Sequence, residues 1–217
     1  MGQLTLAALE SNLRRSGRPL ASFKKGDRVV GSKGMALRPN YSYRLDEAPG
    51  DLPADFRPDL TPGEILMLGV FEGRYLNDCT AEFPMEWFIG ALHYGRLSPE
   101  GGDPARCNLF GIASRQPLSV WRSNGWTAKR GRINRNDHYH GLLADPAKNP
   151  DERGWFQWYC RYWMGRRLPE LDHIQIARWR SFRRHAGSVR AGCRPRDLAC
   201  RPRERQALLQ WAYNPFL

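Results

Sequence analysis

Apolar positions recur at helical spacing in several separate stretches of the chain. Leu4, Leu6, Ala7, Leu9 and Leu13 predict a short helix over residues 3–14, stopped by Ser16-Gly17-Arg18-Pro19. Thr61-Pro62-Gly63-Glu64 is a helix start: Thr caps, Pro fits the first helical position, and Glu three residues on returns a hydrogen bond. Ile65, Leu66 and Leu68 follow, and Gly69 and Gly73 keep that helix short. Pro84 opens another with Trp87, Phe88, Ala91 and Leu92, closed by Gly95. In the last third, Asn149-Pro150-Asp151-Glu152 starts a helix that runs to about Gly165, and Leu168-Pro169 breaks it. Asp172 caps the next helix, which ends near Gly187, and a final one runs from Pro202 to Asn214-Pro215.

Strand signals are weaker. Arg28-Val29-Val30, Asn108-Leu109-Phe110-Gly111-Ile112 and Leu118-Ser119-Val120-Trp121 predict short strands. Residues 46–62 carry Pro49, Pro53, Pro58 and Pro62, which predicts an extended surface connection. Residues 98–104 predict a loop, and 122–150 a long polar stretch containing Lys129-Arg130-Gly131-Arg132 and Asp137-His138-Tyr139-His140. No internal repeat is visible. The simplest organisation is one α+β domain over residues 1–217, irregular and mixed towards the N-terminus and helical towards the C-terminus. It divides into an extended segment over 1–60, a mixed α/β portion over 61–150 and an Arg-rich helical portion over 151–217.

Composition sharpens this. A chain of 217 residues that is 41% hydrophobic and 12% aromatic can pack a core, so disorder is not expected. No apolar run approaches the roughly 20 residues that span a bilayer, so a soluble protein without membrane contact is expected. The five Cys (Cys79, Cys107, Cys160, Cys193 and Cys200) are odd in number, widely spaced and without a CxxC pair. They read as reduced thiols in a cytoplasmic protein.

The formal net charge is +12, and 29 of the 34 basic residues are Arg. A GC-rich coding sequence raises Arg without functional demand, so the total alone says little. Its distribution says more. Residues 153–217 hold fourteen Arg and no Lys against four acids (Glu170, Asp172, Asp197 and Glu204), an excess of ten positive charges. Such segregation points to nucleic acid or another polyanion as the partner.

Within that third, Trp155, Trp158, Tyr159, Tyr162 and Trp163 share one helical face. A five-aromatic stripe is ordinarily core, because large exposed apolar patches are rare. The functional alternative has the end rings Trp155 and Trp163 lining a groove and stacking bases. Arg161, Arg166 and Arg167 belong to the same helix and its end. On the next helix Ile174, Ala177, Ser181, Phe182 and His185 mark the inner face, and Arg180, Arg183 and Arg184 project elsewhere without matching carboxylates. A solvated basic face or a phosphate contact both fit that pattern. From Arg190 to Arg205, the chain adds Arg194, Arg196, Arg201 and Arg203 in a linker suited to tracking a phosphate backbone.

Candidate chemistry gathers at Glu72-Gly73-Arg74-Tyr75-Leu76-Asn77-Asp78-Cys79, an acid, base, phenol, amide and thiol within eight residues of a helix end. Asp78 is the candidate general base, Tyr75 and Asn77 its companions, and Arg74 an anion contact. A structural turn tied by Asn77 and Asp78 accounts for the same residues. His138-Tyr139-His140 is a weak metal signal, and Cys193 and Cys200 with His185 do not match a common zinc spacing, so no metal is assigned and no cofactor is named. Phosphate-loop, dinucleotide-fold, nucleophile-elbow, zincin and zinc-deaminase signatures are absent. The reading is a nucleic-acid-binding protein, extending to an enzyme that modifies DNA, RNA or a nucleotide. The competing reading is a metabolic enzyme whose Arg residues face inward and clamp a small anion.

Overall fold

The structure is a computed structural model that describes residues 4–31, 40–124 and 138–217. Helix α1 (Leu6–Ser16) starts at Thr5, whose hydroxyl accepts from the Ala8 amide, and ends where the Gly17 amide donates to the Leu13 carbonyl. Strands β1 (Arg28–Val30) and β2 (Ser42–Arg44) form a two-stranded antiparallel ladder with Val29 opposite Tyr43. The remainder is helical: α2 (Pro62–Leu68), α3 (Met85–His93), α4 (Pro104–Cys107), α5 (Leu118–Ser123), α6 (His138–Ala144), α7 (Trp155–Trp163), α8 (Pro169–Gly192) and α9 (Pro202–Gln210). A small sheet near the N-terminus with helices towards the C-terminus is the α+β arrangement that the sequence predicts. Among the described residues no helix is long and apolar enough to cross a membrane.

The caps follow local chemistry. At α2 the Thr61 amide donates to Glu64 Oε2 at 2.7 Å and the Glu64 amide donates to Thr61 Oγ1 at 3.3 Å, the reciprocal box that the sequence predicts. Helix α8 begins at Pro169, earlier than expected. Asp172 lies one turn inside it, and its carboxylate reaches back to accept from the Leu168 amide at 2.6 Å and from the Trp158 indole N–H at 2.8 Å.

Three expected elements differ. Leu118–Ser123 is helix α5, not a strand. Residues 108–112 turn instead of extending, because the Asn108 side-chain amide donates to the Ile112 carbonyl at 2.7 Å and the Gly111 amide donates to the Asn108 carbonyl. The polar stretch contains α6; Lys129-Arg130-Gly131-Arg132 and Asp137 lie outside the described residues.

The Pro-rich segment runs over the surface without helix or strand, as expected, but Phe56 anchors it in the core. Phe56 is fully buried and meets Trp158, Tyr159, Tyr162 and Trp179 edge-on, with ring centroids 4.8–5.8 Å apart. Upstream of it, the Asp46 and Glu47 amides donate to the Gly165 carbonyl at 2.8 and 3.0 Å. Gly165 has φ +106, and a Cβ there would sit 2.0 Å from the Glu47 carbonyl oxygen, so only glycine fits. Downstream, the Asp59 amide donates to the Ala212 carbonyl. Residues 46–59 thus bind the C-terminal helices, and one apolar cluster runs from Leu9 on α1 to Tyr213 beyond α9. On α7 the aromatic stripe is core.

Candidate functional site

Helix α8 sorts its side chains by face. Leu171, Trp179, Ala186 and Val189 are buried on one side. At 100° per residue, Arg180, Arg183, Arg184 and Arg190 fall within an arc of about 120° on another, over about 15 Å of helix. All four are exposed. Arg180 pairs with Asp55 at 2.6 Å, a half-exposed pair of small net worth. Arg183, Arg184 and Arg190 have no carboxylate within 4 Å among the described residues. The same holds for the exposed Arg194, Arg196 and Arg203 beyond the helix. Between residues 178 and 203 the sequence has nine Arg and a single acid, Asp197. Like charges this close repel, and a counter-anion would relieve them.

The loop after α8 is tied at several points. Cys193 and Cys200 form a disulfide across a Cα–Cα distance of 5.8 Å, which corrects the expectation of free thiols there. Their spacing of seven is closed by a turn in which Asp197 Oδ1 accepts from the Ala199 and Cys200 amides, both at 3.2 Å. Arg205, fully buried, donates to the carbonyls of Cys200 (2.8 Å), Asp197 (3.0 Å) and Pro215 (2.7 Å). Arg196 and Arg201 take left-handed backbone conformations, with φ of 66° and 53°. Arg194 and Arg196 therefore stand on a constrained loop.

Arg161 and Arg166 do not belong to that surface. Arg161 is 0% exposed and donates to both oxygens of Glu82, at 2.6 and 3.1 Å, and to Asp151 Oδ1 at 2.9 Å. Arg166 closes a buried quartet by gripping Asp151 through both oxygens, at 2.9 and 2.6 Å. The Tyr41 ring lies 4.5 Å from the Arg161 guanidinium carbon. Burial opposes the charge of each guanidinium, but the facing carboxylates outweigh it and hold both protonated. Burial likewise pushes the Asp151 carboxyl up, and Arg166 and Arg161 more than reverse this, leaving it below the ordinary carboxylate range.

The other residues from the aromatic helix are also structural. Arg167 donates to the Tyr162, Arg166 and Asp51 carbonyls, capping the end of α7. Trp155 is buried, with its indole N–H on the Gln175 carbonyl. Trp163 packs edge-on against Trp87 at 5.4 Å. Neither ring is a stacking platform as placed. The inward clamp fares no better: every guanidinium nitrogen of the buried Arg161 and Arg205 donates to a carboxylate or carbonyl of the chain, and both terminal nitrogens of Arg166 hold Asp151, leaving only its Nε without a partner among the described residues. Arg178, partly buried, donates to Gln175 Oε1 at 2.7 Å, and burial lowers its pKa to about 10, so it stays charged near neutrality.

The 72–79 segment is compact and strained. Phe71, Glu72, Gly73 and Leu76 all have positive φ, between 52° and 68°. Glu72 is buried, and its Oε1 accepts from Asn108 Nδ2 at 2.9 Å and from the Ser114 amide at 2.7 Å. Asn77 is buried and donates to the Gly73 carbonyl at 2.8 Å. Asp78 has both oxygens gripped by Arg153, one at 2.6 Å. Tyr75 donates to the Arg153 carbonyl, and burial raises its pKa well above the ordinary phenol value. Burial also raises the Cys79 thiol, against the Arg153 guanidinium 3.4 Å away. The segment brings Tyr75 and Asp78 together around Arg153, which sequence reasoning had not placed there. Arg74 is exposed, and Asn77 turns back into its own loop. Arg153 takes one lone pair on each Asp78 oxygen, so any proton acceptance by Asp78 falls to the remaining ones. Among the described residues no cluster of three or more His, Cys, Asp or Glu could hold a metal ion.

Sequence reasoning missed the acid partners of Arg161 and Arg166. Glu82 lies 79 positions from Arg161, and no local pattern in the sequence links the two. The chain matches no protein-family model, no curated protein and no solved structure.

Proposed function

We propose that the chain binds nucleic acid through its phosphate backbone, using Arg183, Arg184 and Arg190 on α8 and Arg194, Arg196 and Arg203 beyond it. Arg180 flanks this set once it exchanges Asp55 for a phosphate. The observation that carries the reading is this run of exposed guanidinium groups without carboxylate partners among the described residues, beside other arginines of the same third that the fold has neutralised. A fold that supplies Glu82 and Asp151 to its buried arginines leaves Arg183, Arg184 and Arg190 on α8 without a carboxylate among the described residues. Guanidinium forks suit phosphate oxygens, and such contacts position a partner without reading its bases.

The test is the affinity for a short fluorescent DNA duplex, followed by anisotropy across salt concentrations. Counterion release gives a slope of log K against log salt of about −0.9 per phosphate contact, so six contacts predict a slope near −5. Replacing Arg183 and Arg184 with Ala should flatten that slope by about 2 and weaken binding to unrelated sequences alike. Binding that ignores salt, or survives the double replacement unchanged, refutes the assignment.

A further inference from the structure

We propose that the Cys193–Cys200 disulfide is a reversible modification site, opened by a dithiol reductant, that sets how firmly the adjacent arginine loop holds nucleic acid. The functional half of this statement rests on the phosphate-binding reading above; the exchange chemistry stands apart from it. The disulfide sits at the junction between α8 and α9, beside Arg190, Arg194, Arg196 and Arg203, which have no carboxylate partner among the described residues. Cys193 and Cys200 are each only partly buried, and residues 194–199 between them are all exposed. The other three thiols, Cys79, Cys107 and Cys160, are buried. A reagent in solution therefore meets this sulfur pair first. The guanidinium groups around it attract an incoming thiolate.

The exchange balances simply. A thiolate of the reductant attacks one sulfur and displaces the other, giving a mixed disulfide. The reductant's second thiolate then displaces the protein sulfur, closing its own disulfide. The Cys193–Cys200 bond breaks, the reductant's S–S bond forms, and two electrons and two protons pass to the protein, leaving two thiols.

The bond's consequence lies in the backbone it spans. Arg196 and Arg201 occupy left-handed conformations that residues with side chains adopt at a cost, and these persist where the surroundings over-determine them. The disulfide, the Asp197 turn and Arg205 together supply that constraint. Opening the disulfide removes one of the three ties and lets Arg194 and Arg196 sample other directions. Contacts that were held ready for a phosphate must then be ordered on binding.

The experiment compares oxidised protein with protein treated with dithiothreitol, using the same DNA duplex and a parallel limited digestion with trypsin. The reduced form is expected to bind about three- to tenfold more weakly, through lost preorganisation. The Cys193→Ser/Cys200→Ser variant should bind at the reduced level and ignore the reductant. Trypsin should cut the Arg196–Asp197 bond faster after reduction. Equal affinity of both forms overturns the coupling to binding. Unchanged cleavage overturns the loosening itself. If neither form binds the duplex, the phosphate-binding reading has failed, and the cleavage rate alone decides the exchange site: faster on reduction supports it, unchanged removes it.

Discussion

Replacing Glu82 with Gln removes one of two negative charges from the buried quartet and keeps its shape. The native group is neutral: Glu82 and Asp151 balance Arg161 and Arg166. After the change a net positive charge is left in the interior, and the new amide presents an N–H towards a guanidinium that can only donate. Breaking a buried pair on one side costs about 3–5 kcal/mol. For a domain of this size that corresponds to a fall in Tm of roughly 6–20 °C. Circular dichroism on heating, with a denaturant titration at fixed temperature, measures it. A control separates the charge from the contact. The double replacement Glu82→Leu/Arg161→Met removes a matched pair and leaves Asp151 with Arg166, still neutral. It should be less destabilised than Glu82→Gln alone, because no unpaired charge remains. A fall in Tm under about 2 °C for Glu82→Gln, well below the range set by the unpaired charge, refutes the reasoning. So would a double variant less stable than the single one.

Phe56→Ala empties the centre of a four-ring cluster and should cost about 3–5 kcal/mol, read as a lower denaturant midpoint. An effect under 1 kcal/mol would mean that the Pro-rich segment is not docked in solution. Burial raises the Asp172 pKa to about 6, against hydrogen bonds from Trp158 and Leu168 that lower it. Its protonated form is favoured in the folded state, so this stabilisation is present in acid and lost as pH climbs from about 4 through 6, by roughly 3 kcal/mol. Wild type minus Asp172→Asn should show that slope in denaturation series across pH, and parallel curves would contradict it. Asp151 has the opposite sign: its ion pairs stabilise above the ordinary carboxylate range and are lost as pH falls below it. Gly165→Ala forces a Cβ onto the Glu47 carbonyl at an unfavourable φ and should lower Tm clearly, whereas an unchanged Tm would show that the turn relaxes freely.

Local chemistry was legible. The Thr61–Glu64 box and the stop at Gly17 depend on residues within a turn of each other, and the Arg28–Val30 strand shows in its own residues although its partner Ser42–Arg44 does not. The aromatic stripe of α7 was legible as core for the same reason. What failed needed distant partners. Arg161 and Arg166 look like free cations until Glu82 and Asp151 are placed beside them. Phe56 looks like a loop residue until Trp158 and Trp179 close around it. Val120 and Trp121 suit a strand or a helix equally, and a six-residue window cannot choose. At 72–79 the mix of acid, base, phenol and thiol is legible, but the positive φ values and the grip of Arg153 on Asp78 are not written in residue types.

The docking of Phe56 also bears on how the chain is made. Its partners Trp158 and Trp179 follow it by more than a hundred positions. At about 5–20 residues per second, a ribosome takes roughly 5–25 seconds to supply them. During that interval the leading third of the nascent protein carries an apolar plug with no socket. Synthesis therefore passes through a window in which holdase chaperones or self-association compete for the segment, and the window closes only when the arginine-bearing end has emerged.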